Sequence, residues 1–294
     1  MKIFRFTLLS FILVISIFQG CVFAQEKEII RWLAWEQVPN FITEGKYVGQ
    51  GIGDAFTKTL QQNLPQYEHQ NVISNTRRYN ELIKQKNVCV AWAWVVPGSS
   101  TYRIHSRPVS LAPRTGIQTL KSKQSLFGKQ GETLSLAKLL ENNGLILGYL
   151  EEMQYSKKVH ELINQYKDDE RVFVSSRREV EFDLRLLDKN HLDYFFGFPA
   201  QAIFEAESKG IPNKYQFYNI EEIDKYVSMY THCSKNEFGE KVMTEVNKIL
   251  TDELLMEHLA VVERWYGENK GYRDIFIDYV IKQNPNELVT HPGH

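Results

Sequence analysis

Cys89 and Cys233 are the chain's clearest candidates for covalent chemistry, and what they do depends on where the chain works. The opening segment, which holds the third cysteine, Cys21, speaks to that. Lys2 and Arg5 make a positive start, Phe6 to Phe18 carry no charge, and Val22-Phe23-Ala24 puts small or slim side chains where a signal peptidase reads. That order is a secretory signal peptide cleaved after Ala24, giving a mature chain that begins at Gln25 and is periplasmic or secreted. The apolar run of about 13 residues falls short of the about 20 that a permanent membrane helix needs. Two alternatives remain open. One is an uncleaved anchor; the other is a lipoprotein processed at Cys21, which Gly20 suits and Phe18 and Gln19 do not. An even pair of cysteines in an exported protein reads as one disulfide, with two separate buried thiols as the alternative.

Other chemistry is sparse. No Cys/His cluster has metal-ligand spacing, and His291 and His294 sit in a polar tail. No Ser/His/Asp or Cys/His arrangement stands out, and nothing calls for a cofactor. Aromatic residues make up 13% of the chain, which favours sizeable cores or an aromatic-lined pocket. The net charge of −1 gives no electrostatic case for nucleic acid or an anionic membrane. The mature chain of about 270 residues suffices for one large or two medium domains.

The elements that must position these residues alternate. Ile29 to Trp35, Tyr67 to Ser74 and Val88 to Val96 read as strands, with helices over Asp54 to Leu64 and Arg77 to Gln85 between them. Val88 to Val96 (VCVAWAWVV) has no polar alternation, as in a strand buried on both faces of a parallel sheet. The pattern then restarts. Strands are expected at 145–150, 172–175, 191–196, 215–218 and 226–233, with helices at 135–142, 152–166, 178–187 and 199–208. Two such runs mean two α/β lobes. Two closing amphipathic helices, 238–250 and 253–265, have no sheet of their own nearby. Their apolar faces are simplest to bury if the chain returns to the first lobe.

Several local signatures add to this: Trp32-Leu33-Ala34-Trp35 with Pro39 and Phe41; Gly49-Gln50-Gly51-Ile52-Gly53-Asp54; Ser99-Ser100-Thr101-Tyr102-Arg103 with Ser106-Arg107-Pro108; and His191-Leu192-Asp193-Tyr194. In order and spacing they resemble the extracellular solute-binding proteins of family 3, the amino-acid-binding type of periplasmic receptor, over almost the whole mature chain. Within that group the chain is similar to a less characterised bacterial branch. The resemblance implies a type 2 periplasmic-binding fold. Residues 25–112 and 227–294 would form lobe 1, residues 113–226 lobe 2, and two crossing strands the hinge, about Pro108 to Ser122 and Ile223 to Cys233. The loops Trp35 to Gly51, Pro97 to Arg103, Tyr149 to Ser156 and Phe196 to Pro199 would converge on one cleft. Cys89 and Cys233 would fall in the same lobe, stapling the returning chain near the hinge.

The resemblance also assigns roles. Arg103, with Thr101 before it, matches the arginine that holds a ligand carboxylate through a guanidinium fork. Arg77 and Arg78 are alternative cleft cations. Trp35, Phe41, Trp94, Tyr149, Tyr155 and Phe198 are candidates to line the cleft, two or three of them touching ligand. The family's acid for the ligand's α-amino group is missing: Phe198 stands in its place, while Asp193 matches a structural position. Glu151 or Glu152 could supply a replacement, although each also suits a helix start.

Three functions compete. The first is a monomeric binding protein that closes on a small polar, carboxylate-bearing solute and presents it to an ABC permease or a membrane sensor. The second is a cleft enzyme on the same fold, like those relatives that dehydrate small cyclic acids, using Glu36, Glu151 or Glu152 as acid or base. The third is a relative that has kept the fold without a ligand.

Overall fold

The computed structural model describes residues 26–95, 99–142, 144–151, 153, 155–175, 183–267 and 270–282. Residues 1–25, where a signal peptide is expected, Glu152 and the C-terminal histidines lie outside the described residues.

The first lobe is built on a five-stranded sheet in the order β2-β1-β3-β11-β4. Its strands are β1 (Ile29–Ala34), β2 (Glu68–Ile73), β3 (Val88–Trp94), β4 (Arg103–Pro113) and β11 (Tyr226–Ser234). β1 runs parallel to β2 and β3, whereas β11 lies antiparallel to both β3 and β4. Helices α1 (Ile52–Asn63) and α2 (Thr76–Leu82) connect the first three strands. β3 is buried along Val88 to Ala93, as its unbroken apolar sequence requires.

The second lobe carries a six-stranded sheet in the order β6-β10-β5-β9-β7-β8. Its strands are β5 (Gly116–Leu120), β6 (Thr133–Leu134), β7 (Leu147–Leu150), β8 (Val172–Ser175), β9 (Tyr194–Gly197) and β10 (Tyr215–Ile220). The helices with them are α3 (Gln124–Phe127), α4 (Leu136–Glu141), α5 (Lys157–Gln165), α6 (Arg185–Asp188) and α7 (Pro199–Lys209). α5 starts later than the expected residue 152. The Ser156 hydroxyl accepts from the Val159 amide (3.2 Å) and donates to the Glu222 carbonyl (2.7 Å), which fixes the helix start after Ser156. Asp193 is structural here, since its carboxylate takes the Ile146 amide at 2.7 Å and Lys123 Nζ at 2.6 Å.

The chain crosses between lobes twice, at Arg114-Thr115 from β4 into β5 and at 221–225 from β10 back into β11. The two passages are tied together by the Arg114 amide, which donates to the Lys225 carbonyl at 2.9 Å. After β11, α8 (Glu237–Ile249), α9 (Asp252–Tyr266) and α10 (Lys270–Phe276) stay with lobe 1. Val242, Val246, Leu255, Leu259, Val262 and Trp265 share one core with Ile30, Trp32, Phe56 and Leu60. The return of the C-terminal helices to the first sheet is thus observed. α10 and the turn after it add a segment that the sequence reading left out; the Tyr272 hydroxyl docks it by donating to the Leu111 carbonyl of β4 (2.7 Å).

Cys89 and Cys233 form a disulfide between directly paired positions of β3 and β11, with Cα atoms 4.0 Å apart and a sequence separation of 144. In the chain-entropy account a loop of that length stabilises by up to about 5 kcal/mol. The Cys89→Ala/Cys233→Ala double variant should lower the urea midpoint clearly, and reductant should shift the midpoint of the wild type but not that of the variant.

His232 in β11 and His258 in α9 are both buried, and burial pulls each imidazole down to about 3; Arg103 and His105 add to this for His232. A histidine depressed below its unfolded value of about 6.5 leaves the unfolded chain to take up protons first. Stability should therefore be intact above about pH 6.5 and fall progressively toward pH 3, with a slope of up to about 1.4 kcal/mol per pH unit for each group. His258→Leu should flatten that profile in pH-dependent urea melts; an unchanged slope would count against burial as the cause.

Candidate ligand-binding site

The loop after β1 is shaped by short-range bonding. The Gln37 amide donates to the Phe41 carbonyl (3.1 Å), and the Asn40 and Phe41 amides return to the Gln37 carbonyl at 2.7 and 2.9 Å. This turn folds Phe41 into the core, at 1% exposure, and leaves Gln37 and Asn40 on the other side. Gly53 permits the packing, since a Cβ there would lie 2.4 Å from the Phe41 ring. The half-buried Asp54 carboxylate holds the loop to α1 by accepting from the Ile42 and Gly51 amides at 2.9 and 3.0 Å. Burial pushes its pKa up, with these two amides opposing the shift.

Between the lobes lies a cavity of about 80 Å³. Lobe 1 lines it with Gln37 and Asn40 from the loop, Trp92 and Trp94 from β3, Ala112 and Pro113 from β4, Val227 and Met229 from β11, and Tyr266 from α9. The crossing passages add Arg114, Thr115 and Ile223, and lobe 2 adds Met153, Tyr155 and Phe198. Small-molecule pockets usually span about 300–1,000 Å³, so this cleft is narrow in the conformation seen.

A second contact holds the lobes together. Phe204 of α7 packs against Tyr47 and Trp265 of lobe 1, with ring centroids 6.3 and 5.6 Å apart. Beside it Arg264 and Glu207 form an ion pair at 3.5 Å. On the sequence Phe204 is one apolar residue in a helix with Glu205 and Glu207, and nothing there signals an interlobe role.

Of the residues singled out from sequence, Trp94, Tyr155 and Phe198 meet at this cavity. Tyr149 stands behind it, buried against Tyr155 (5.2 Å between rings) with its hydroxyl hydrogen-bonded to His160 Nδ1 at 2.7 Å. Trp35 is half-buried between Phe41 and Tyr79, each 5.1 Å away, and reaches the site only through Gln37. Thr101 is exposed at the end of the turn Ser99–Thr101, and Glu151 is exposed. Arg77 lies in α2, and its side chain is outside what the structure describes. The acid–base candidate Glu36 is exposed and accepts from the Thr43 amide at 2.8 Å. Among the described residues no carboxylate lines the cavity.

Arg103 does not line the cavity either. It opens β4 rather than ending a loop, and at 3% exposure its guanidinium lies over the rings of Tyr79 (5.2 Å) and Tyr102 (5.0 Å). Its Nε has no hydrogen-bond partner, and among the described residues it has no ion pair. Burial raises the Tyr79 hydroxyl to about 12 against the pull of the nearby guanidinium, so that ring stays neutral and suited to a cation. The cleft residues that sequence reasoning missed are Gln37, Asn40, Trp92, Arg114 and Tyr266. Arg114 had a signal, because it sits at the first crossing between lobes.

No protein-family model and no curated protein matches this sequence. Among solved structures the chain is similar to the probable amino-acid ABC transporter extracellular-binding protein ytmK from Bacillus subtilis. That match has a TM-score of 0.57 at 15% identity and covers 83% of this chain and 100% of that one. It is also similar to a putative L-cystine ABC transporter from Listeria monocytogenes (TM-score 0.57, 16% identity, covering 87% and 100%). The periplasmic VFT2 domain of Bordetella pertussis BvgS is similar as well (TM-score 0.55, 13% identity, covering 81% and 93%). At such identities the likeness is one of fold. The chain has the two-lobed α/β fold of type 2 periplasmic binding proteins. By name, the structures that share it here are an extracellular-binding protein, a putative ABC transporter and a periplasmic domain.

Arg103→Lys should lose the stacking on two rings and destabilise by about 1–2 kcal/mol in urea melts. Affinity for any bound solute should stay within about threefold. A tenfold loss of affinity at unchanged stability would restore Arg103 as a ligand contact.

Proposed function

We propose that this is an exported solute-binding protein that holds a small carboxylate-bearing solute between its lobes and acts by hinge closure, without catalysis. The reading is carried by one observation: both lobes and both crossing passages contribute side chains to a single cavity. Rotation about Arg114-Thr115 and 221–225 widens or closes that cavity without disturbing either sheet. The family-3 resemblance and the likeness to transporter-associated proteins support delivery of the solute to an ABC permease or a membrane sensor. The mature chain is a monomer beginning at Gln25. Among the described residues that line the cavity the cation is Arg114, and we assign the ligand's carboxylate to it.

Of the acid–base candidates, Glu36 and Glu151 do not line the cavity, and Glu152 lies outside the described residues. Incubation with a bound solute should return that solute unchanged, whereas any turnover would reverse this conclusion.

Closure gives a measurable state. Removing the second contact with Phe204→Ala and Glu207→Ala should raise the ligand-free radius of gyration in small-angle scattering. A saturating solute should bring it back and raise the melting temperature, by about 2.7 kcal/mol of stabilisation at 100 times its dissociation constant. Identical scattering profiles for wild type and variant, with and without solute, would end the hinge account.

A further inference from the structure

We propose that the cavity selects a small monocarboxylate with an apolar body and no ammonium group, the desamino counterpart of an apolar amino acid. The inference rests on the solute-binding reading above and names the class of solute.

The polar side chains of the cavity have donors to spare and few acceptors. Trp92 is 2% exposed and its Nε1 has no partner; an indole N–H can only donate. The Tyr155 hydroxyl, 8% exposed, has the Leu150 backbone amide beside it but no acceptor for its own proton. Burial raises its pKa, so it keeps its proton and can donate. Trp35 Nε1 donates to the Gln37 side-chain oxygen at 3.1 Å. Because that indole cannot accept, the orientation of the Gln37 amide is fixed and its NH₂ is the group left over. The Asn40 oxygen is likewise engaged by the Tyr266 hydroxyl at 3.1 Å. Among the described residues the Arg114 guanidinium has one long ion pair, 3.6 Å to the exposed Asp224 carboxylate.

An unmet buried donor costs about 1–3 kcal/mol, so a ligand rich in acceptor atoms relieves several such costs together. A carboxylate does this with two oxygens and also meets the Arg114 charge. Phe198 opens α7 with no side-chain cap, which puts the positive end of that helix at the same wall. An ammonium group would enter a space where no described side chain offers a carboxylate, and a buried unpaired charge costs several kcal/mol. Trp94, Phe198 and Met229 supply apolar surface for the rest of the solute.

The test is calorimetry on the mature wild-type protein with two matched pairs: 4-methylpentanoate against L-leucine, and 3-phenylpropanoate against L-phenylalanine. The ammonium-free acid should bind at least tenfold more tightly in at least one pair. Arg114→Gln should weaken that acid tenfold or more, and Trp92→Phe, which keeps a ring but loses the donor, about threefold. Asn40→Asp should narrow the gap between acid and amino acid.

Amino acids that bind as well as or better than their partners overturn the proposal and leave the solute-binding reading intact. So does a co-purifying solute that carries an ammonium group or lacks a carboxylate. If none of the four probes binds, the proposal falls. If in addition no solute co-purifies and scattering shows no closure, the solute-binding reading falls with it.

Discussion

β11 lies between β3 and β4 and is antiparallel to both, and the rest of the molecule follows from that placement. A strand so far along the chain can occupy the middle of the first sheet only if the polypeptide leaves that lobe, builds the second and returns. The outward and returning passages must then run side by side, and the bond between Arg114 and Lys225 joins them where they cross. A cleft beside such a paired crossing can change width while both sheets keep their hydrogen bonds. The disulfide reinforces the same arrangement by fixing β11 to β3 at Cys233 and Cys89.

The cleft has an electrostatic character set by what its walls have already used. The Gln37 and Asn40 oxygens each already accept from a lobe 1 partner, which leaves their NH₂ groups as the wholly unused hydrogen-bonding capacity. Trp92 and Tyr155 bring donors from opposite lobes, and Arg114 stands at the crossing itself. The contact of Phe204 with Tyr47 and Trp265 brings the walls close, so these groups sit in a narrow space. There an unmatched charge is costly and a matched one strongly held.

Arg103 shows where reading by motif and reading by structure part. The short segment Thr101-Tyr102-Arg103 predicts a cleft cation. The register of β4 on β11, with Arg103 opposite Ser234, instead points the side chain toward Tyr79 and Tyr102. Phe41 is similar, because its position in the loop suggests exposure to ligand while the turn at Gln37 folds it inward. Phe198 went the other way: it was noted for what it replaces, and it does stand on the cavity wall. Of the three, position along the chain located the wall only for Phe198. Which way a side chain turned was decided by partners far away in sequence.

By itself the sequence determined the alternation of strands and helices, the buried character of Val88 to Ala93, and the need of the last long helices for an apolar surface elsewhere. Those are local properties, carried by periodicity and by the free energy of burying apolar faces. Only the tertiary structure decided that Arg103 lies beneath tyrosines, that Gln37 and Asn40 present their amide nitrogens, and that α7 reaches lobe 1 through Phe204. Those depend on strand register and on hydrogen bonds between residues remote in sequence, which no short window of residue types encodes.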